Sequence, residues 1–294
     1  MLNVPLTGSM ADGPLGLVHL PRMWQKGLLK TIGALPDDYV FAERGFDQRL
    51  MEGVGIDVNA FVPFLQTLPN YLETEAWVRK NASNLGNIAE TNDGIVTRSM
   101  SPEGSGRLRA ATGITDATFD NGARLNNLDD LQSLHAYVVA HRGQQVEPIV
   151  PAICGLLTGP LGILHLPRLW GKAVIKTIGA LPEGYHSGSG PLDEQLAEAL
   201  GMDLAASVRY INAELPTYIA YEAWVKKNAT LDPAKIAEWN ERMKTRQKRE
   251  EMATAERAEV GLIDSNERGG RLLNDLVDWH LFHQQIAARR RAAA

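Results

Sequence analysis

The stretch GPLGLVHLPRMWQK at residues 13–26 returns at 159–172 as GPLGILHLPRLWGK, and both copies run on through KTIGALP to Pro36 and Pro182. A segment carried twice at this length constrains the chain to build one kind of unit two times over. Helix cores drift quickly between duplicates as long as volume and pattern are kept. Retention of His, Pro, Arg and Lys together therefore points to a task beyond packing. The repeat divides the 294 residues near the middle, giving expected domains 1–148 and 149–294, each long enough to bury a core.

Periodicity gives the fold class. Pro21 suits the first turn of a helix, where its missing N–H costs nothing, and the apolar pattern runs on to Leu35. Trp24, Leu28 and Ile32 fall on one side and Arg22, Lys26 and Lys30 on the other, which predicts an amphipathic helix with an outward cationic stripe. The copy places Trp170 inside and Arg168, Lys172 and Lys176 outside. Asp47 and Asp57 read as helix caps, and Asp193 and Asp203 repeat them. A further helix carries Tyr71, Glu75, Trp77 and Asn81, matched by Tyr218, Glu222, Trp224 and Asn228.

Residues 1–12 read as a loose lead-in. The Gly, Ser, Thr and Asn of 92–123 read as a long surface loop, while 233–260 reads as one long charged helix with a solvated face. Helices from Asn126 and Asn274 close the halves. The expected architecture is all-α, with two pseudo-symmetric helical-bundle repeats and no strand.

The pattern L-G-x-x-H-L-P-R-x-x-x-K, followed by Asp47-x-x-Leu50, Gly55-Ile56 and Trp77-Val78-x-x-Asn81, resembles a bacterial domain-of-unknown-function family, number five thousand and sixty-nine. The pattern recurs through His165, Arg168, Lys172, Asp193, Leu196, Gly201, Met202, Trp224, Val225 and Asn228. The resemblance implies a helical fold, carried twice as a tandem duplication, and no particular activity. The family often has Asp before the motif lysine; Gln25 and Gly171 stand there in this chain.

Composition excludes several classes. A formal charge of −5 gives no basic field for nucleic acid. No apolar run approaches a membrane span, and the N-terminal residues lack the charged and apolar regions of a signal peptide. The lone Cys154 suits a reducing compartment, so a cytoplasmic location is expected, and it reads as a small buried hydrophobe. His280 and His283 share a helix face but lack further converging ligands, so neither metal nor other cofactor is expected. No phosphate-binding loop or nucleophile elbow is present. Nothing in the sequence fixes the oligomeric state.

The candidate site is then His19 and His165 as acid–base groups, with Tyr39 and Tyr185 as second proton donors. Arg22, Lys26, Lys30, Arg168, Lys172 and Lys176 would hold an anion. Glu75 and Glu222 read as partners of the cationic stripe. Two functions follow: a cofactor-independent lyase, hydrolase or proton-transfer enzyme acting on a small anionic molecule, aromatic or not, or, as the alternative, a non-catalytic small-anion binding module or helical partner-binding protein. The alternative for the motif itself is that the histidine caps or packs beside a solvated basic face.

Overall fold

The computed structural model describes residues 3–293. Among them are fourteen α-helices and no strand. The first seven are α1 (Leu20–Thr31), α2 (Gly45–Val54), α3 (Val58–Gln66), α4 (Tyr71–Asn81), α5 (Ile88–Val96), α6 (Pro102–Thr112) and α7 (Gly122–Ala140). The other seven are α8 (Leu166–Thr177), α9 (Pro191–Leu200), α10 (Leu204–Glu214), α11 (Tyr218–Asn228), α12 (Pro233–Thr245), α13 (Glu250–Val260) and α14 (Gly270–Ala293). No described helix is long and apolar enough to cross a membrane.

The compact units are cut differently from the sequence repeats. One runs from Ser99 to Arg246, so that α6 and α7 pack with α8 to α12. The other joins Asn3–Arg98 to the segment beginning at Gln247, so that α1 to α5 are completed by α13 and α14. The closing helices of each sequence half thus supply the core of the unit built on the other half's motif. The two are called below the His19 unit and the His165 unit.

In both units the motif helix is the most enclosed element. Every residue from Leu20 to Leu29 of α1 and from Leu166 to Ile175 of α8 is buried. The outward cationic stripe is therefore corrected: Arg22, Lys26, Arg168 and Lys172 lie inside, and Lys30 and Lys176 alone of that set reach solvent. The sequence face looked amphipathic because the partners of those cations are buried polar groups rather than water. Trp24 and Trp170 are wholly buried as expected, with indole N–H groups donating to the carbonyls of Pro69 (2.9 Å) and Pro216 (3.1 Å).

Three other expectations change. The lead-in is packed, with Val4, Leu6, Thr7 and Ser9 buried. Residues 92–123 are not a long loop: Ser101 caps α6 through Gly104 N, Gly113 ends it at φ 81°, and Asn121 caps α7 through Arg124 N. The Ser, Gly and Asn that suggested a loop are helix caps and a helix terminator. The span 233–260 is two helices, because Gln247 and Lys248 are drawn into a short antiparallel pairing with Gly269 and Arg268. Its face is partly dry: Trp239, Met243, Lys248 and Arg257 are buried. Asp57 and Asp203 do cap α3 and α10.

Because each compact unit draws helices from both sequence halves, fragments 1–148 and 149–294 made separately should each lack a cooperative unfolding transition. Mixing or co-expressing them should restore it, as followed by circular dichroism on heating.

Candidate functional site: a buried carboxylate clamp in each unit

The residue before each motif helix sits in a left-handed backbone conformation, His19 at φ 71° and His165 at φ 69°. A non-glycine residue there costs on the order of 1–3 kcal/mol and persists only where its surroundings over-determine it. The determinants are visible. His19 N donates to the Ala11 carbonyl (2.9 Å), its own carbonyl accepts from Met23 N (2.9 Å), and its ring Nε2 lies 2.7 Å from Asp47 Oδ1. His165 repeats all three through Gly155, Leu169 and Asp193, the last at 3.1 Å.

Asp47 is the anion that the motif lysine holds. Lys26 Nζ reaches both its oxygens at 2.6 Å and places a third proton on the Val40 carbonyl at 3.0 Å. Ala42 N donates to Oδ2 at 2.9 Å, tying the connection between α1 and α2 to the same carboxylate. In the His165 unit Lys172 spans Asp193 at 2.9 Å to each oxygen, and Gly188 N takes the place of Ala42 N at 2.9 Å. Asp47 does not cap α2, as its sequence position suggested; Arg44 stands at that cap and makes no side-chain bond there.

Arg22 and Arg168 serve a different need. The segment before each motif is buried without regular structure, so its carbonyls need donors from elsewhere. Arg22 donates to Pro5 O and Thr7 O at 3.1 Å each, and Arg168 to Pro151 O (2.7 Å) and Ile153 O (2.9 Å). Gln25 adds an acceptor for Thr7 N at 2.9 Å. Its counterpart Gly171 leaves room for Ile153, whose Cδ1 would stand 2.2 Å from any Cβ there. The two copies thus differ here in what the position supports, a hydrogen bond in one and apolar packing in the other.

Burial pushes both imidazoles down to about 4, against the pull of the carboxylate. Asp47 and Asp193 stay well below the usual carboxylate range: burial alone would raise them, but the histidine bond and the lysine charge outweigh it. An ionised carboxylate facing a neutral ring requires Nε2 to carry the proton and donate it. Nδ1 is left as a buried lone pair with no hydrogen-bond partner in either unit.

The remaining expected residues lie elsewhere. Lys30 stands over the Phe41 ring at 5.6 Å and Lys176 is exposed. Tyr39 and Tyr185 are half-buried in the turns after α1 and α8, their N–H groups on Pro36 O and Pro182 O. Glu75 and Glu222 do not pair with the motif cations. They accept from Tyr71 and Tyr218 (2.8 and 2.6 Å) and from Leu15 N and Leu161 N (3.0 and 3.2 Å).

Burial raises Glu75 and pushes Glu222 up to about 7. Glu222 therefore binds a proton more tightly folded than unfolded, a contribution present below about 4.5 and lost as pH rises through about 7. His135 and His283 each meet the carbonyl of a leucine, Leu215 (2.8 Å) and Leu68 (2.9 Å), and Cys154 is buried. No cluster of three metal-ligating side chains occurs among the described residues.

Residues 8–131 match the model of a family described as a domain of unknown function, DUF5069. The matched stretch contains the whole His19 clamp and extends through α6 into α7, helices that pack in the His165 unit. No curated protein and no solved structure matches the chain significantly.

One open feature lies outside the clamp. A groove of about 460 Å³ runs between α2 and α5 of the His19 unit, with Arg49, Arg98, Glu52 and Glu90 along its walls and Thr91 among its lining residues. No sequence signal marks these residues, because exposed charges on helices are ordinary.

Two outcomes follow from the clamp. In a proton NMR titration, two of the seven histidines should remain neutral down to about pH 4, in the tautomer protonated at Nε2. Asp47→Asn should cost about 3–5 kcal/mol in denaturant unfolding, because it strands a buried lysine. Adding Lys26→Met to Asp47→Asn should cost less than the two single changes summed.

Proposed function

We propose that the duplicated motif secures the fold and that the chain is a non-catalytic module for a small molecule bearing a carboxylate or phosphate, bound away from the motif. One observation carries this reading. The buried motif cations are spent on the protein's own groups in both units, Lys26 and Lys172 on Asp47 and Asp193, and Arg22 and Arg168 on backbone carbonyls. The side chains of Arg49 and Arg98 have no hydrogen bond or ion pair among the described residues, and both residues line the open groove.

The same reading takes the chain as a tandem duplication. In both copies the clamp aspartate follows the histidine by 28 residues and the lysine by 21, although the connecting sequences differ. A cytoplasmic setting is part of the proposal, resting on the lone buried Cys154.

A specific observation favours a second reading, a cofactor-independent acid–base enzyme of lyase, hydrolase or proton-transfer type. A ring whose Nε2–H is held by a carboxylate and whose Nδ1 keeps its lone pair is disposed as a general base. Local opening would be needed to bring substrate to it.

The readings separate in a thermal-shift and turnover screen against small carboxylates, amino acids and phosphates. For the module, Arg22→Ala and Arg168→Ala should lower the melting temperature and leave the ligand response intact. Arg49→Gln and Arg98→Gln should do the reverse. Turnover that disappears in His19→Gln or His165→Gln at unchanged ligand affinity would establish the enzyme instead, and no response to any compound would sink the module.

A further inference from the structure

We infer that the groove between α2 and α5 takes a small zwitterion of the free α-amino-acid class. The inference rests on the binding-module reading above and adds the ligand and the reason only one unit carries the site.

Equivalent hydrogen bonds align the units residue by residue. Asn92 accepts from Val18 N and donates to Gly16 O (3.0 and 2.7 Å); Asn240 does the same with Leu164 N and Gly162 O (3.0 and 2.8 Å). Asp47 and Asp193 align α2 with α9. On that register Thr91 replaces Trp239, Gly94 replaces Arg242, and Gly53 replaces Ala199.

In the His165 unit the space is filled. Trp239 is buried with its indole N–H on Leu164 O (2.9 Å), and Arg242 crosses to Gln195 Oε1 (2.9 Å). In the His19 unit all three positions are cut back together. A Cβ on Gly53 would come within 2.3 Å of Thr91 Oγ1, and one on Gly94 within 3.1 Å of the Arg49 guanidinium. Loss of bulk at Thr91 and Gly94 leaves the groove open without touching the clamp, while Gly53 lets Thr91 pack close against α2.

The groove also has an unmet polar group. Thr91 is 4% exposed and its hydroxyl has no hydrogen-bond partner. A buried hydroxyl left unsatisfied costs about 1–3 kcal/mol, and turning the Thr91 side chain from Gly53 towards the groove would let a ligand bond it and recover that loss. The charges set the ligand's polarity. The two helices run antiparallel, since Asn87 Nδ2 donates to Gly53 O (3.0 Å) at one end while Gly45 and Arg98 line the other.

Arg98 lies at the end that carries the start of α2, and Arg49 one turn further in; the dipoles of two antiparallel helices offset each other, so the guanidinium groups set the sign of charge at that end. Glu52 and Glu90 occupy the Asn87 end. A lone anion would meet the two carboxylates and a lone cation the two guanidinium groups. A carboxylate and an ammonium carried by one carbon answer both signs of charge, and Thr91 lines the same groove.

Titration calorimetry of the intact protein with the free amino acids, and with acetate and ethylamine as singly charged controls, tests this. At least one amino acid should bind while both controls fail. Arg49→Gln or Arg98→Gln should weaken that amino acid about tenfold or more, as loss of one charge-assisted contact implies. The triple change Gly53→Ala, Thr91→Trp, Gly94→Arg copies the filled unit and should abolish binding at an unchanged or higher melting temperature. If it does not fold, the two exposed arginine variants decide the matter alone.

Acetate binding as well as any amino acid would overturn the zwitterion and leave the module standing. Amino-acid binding undiminished in the arginine variants would overturn the groove as the site. Failure of every small carboxylate, amino acid and phosphate would overturn both.

Discussion

A single buried carboxylate in each unit organises what surrounds it. Asp47 and Asp193 are almost wholly removed from water, a placement that is tolerable for an ionised group only when it is paired and hydrogen-bonded. Lysine supplies the charge, histidine a donor, and a backbone N–H from the following connection a further donor. Through that one group the start of the motif helix, its second turn, the connection and the next helix are fixed to one another. The left-handed backbone of the histidine is the local cost, and the four-way junction offsets it.

This explains why the motif is polar yet does not behave as a surface. Arg22 and Arg168 hold down irregular buried chain that has no ladder of its own, so the cationic face of the helix looks inward at carbonyls. A buried ion pair is a weak source of net stability compared with apolar packing of the same volume. What it supplies here is geometry. Any other register of α1 against α2 would leave a lysine, a histidine and an aspartate buried and unpaired.

The two units keep the clamp and differ beside it. The histidine, lysine and aspartate of the clamp are the same in both, whereas Gln25 and Gly171, Thr91 and Trp239, or Gly94 and Arg242 differ, each with its own packing or hydrogen bond. The same clamp thus stands in both units beside surroundings that differ.

Much of this was legible in the residues. Helical periodicity gave an all-α chain, the repeat gave the motif, the tryptophans read as core, and Asp57 and Asp203 read as caps. Even the clamp was present in outline, since the aspartate recurs at a fixed interval from both histidine and lysine. Its partner in charge was not identified because the sequence does not say whether a basic face meets water or a buried carboxylate.

Tertiary structure decided that, and it decided which helices close which unit. Periodicity is a property of a single helix, but the placement of α7 and α14 depends on which exposed core they cover. Nor does local sequence mark the break between α12 and α13, where the run from Thr245 to Glu250 contains no glycine or proline. The backbone leaves the helix there because Gln247 and Lys248 pair with residues some twenty positions on, an interaction that exists only once the chain has folded.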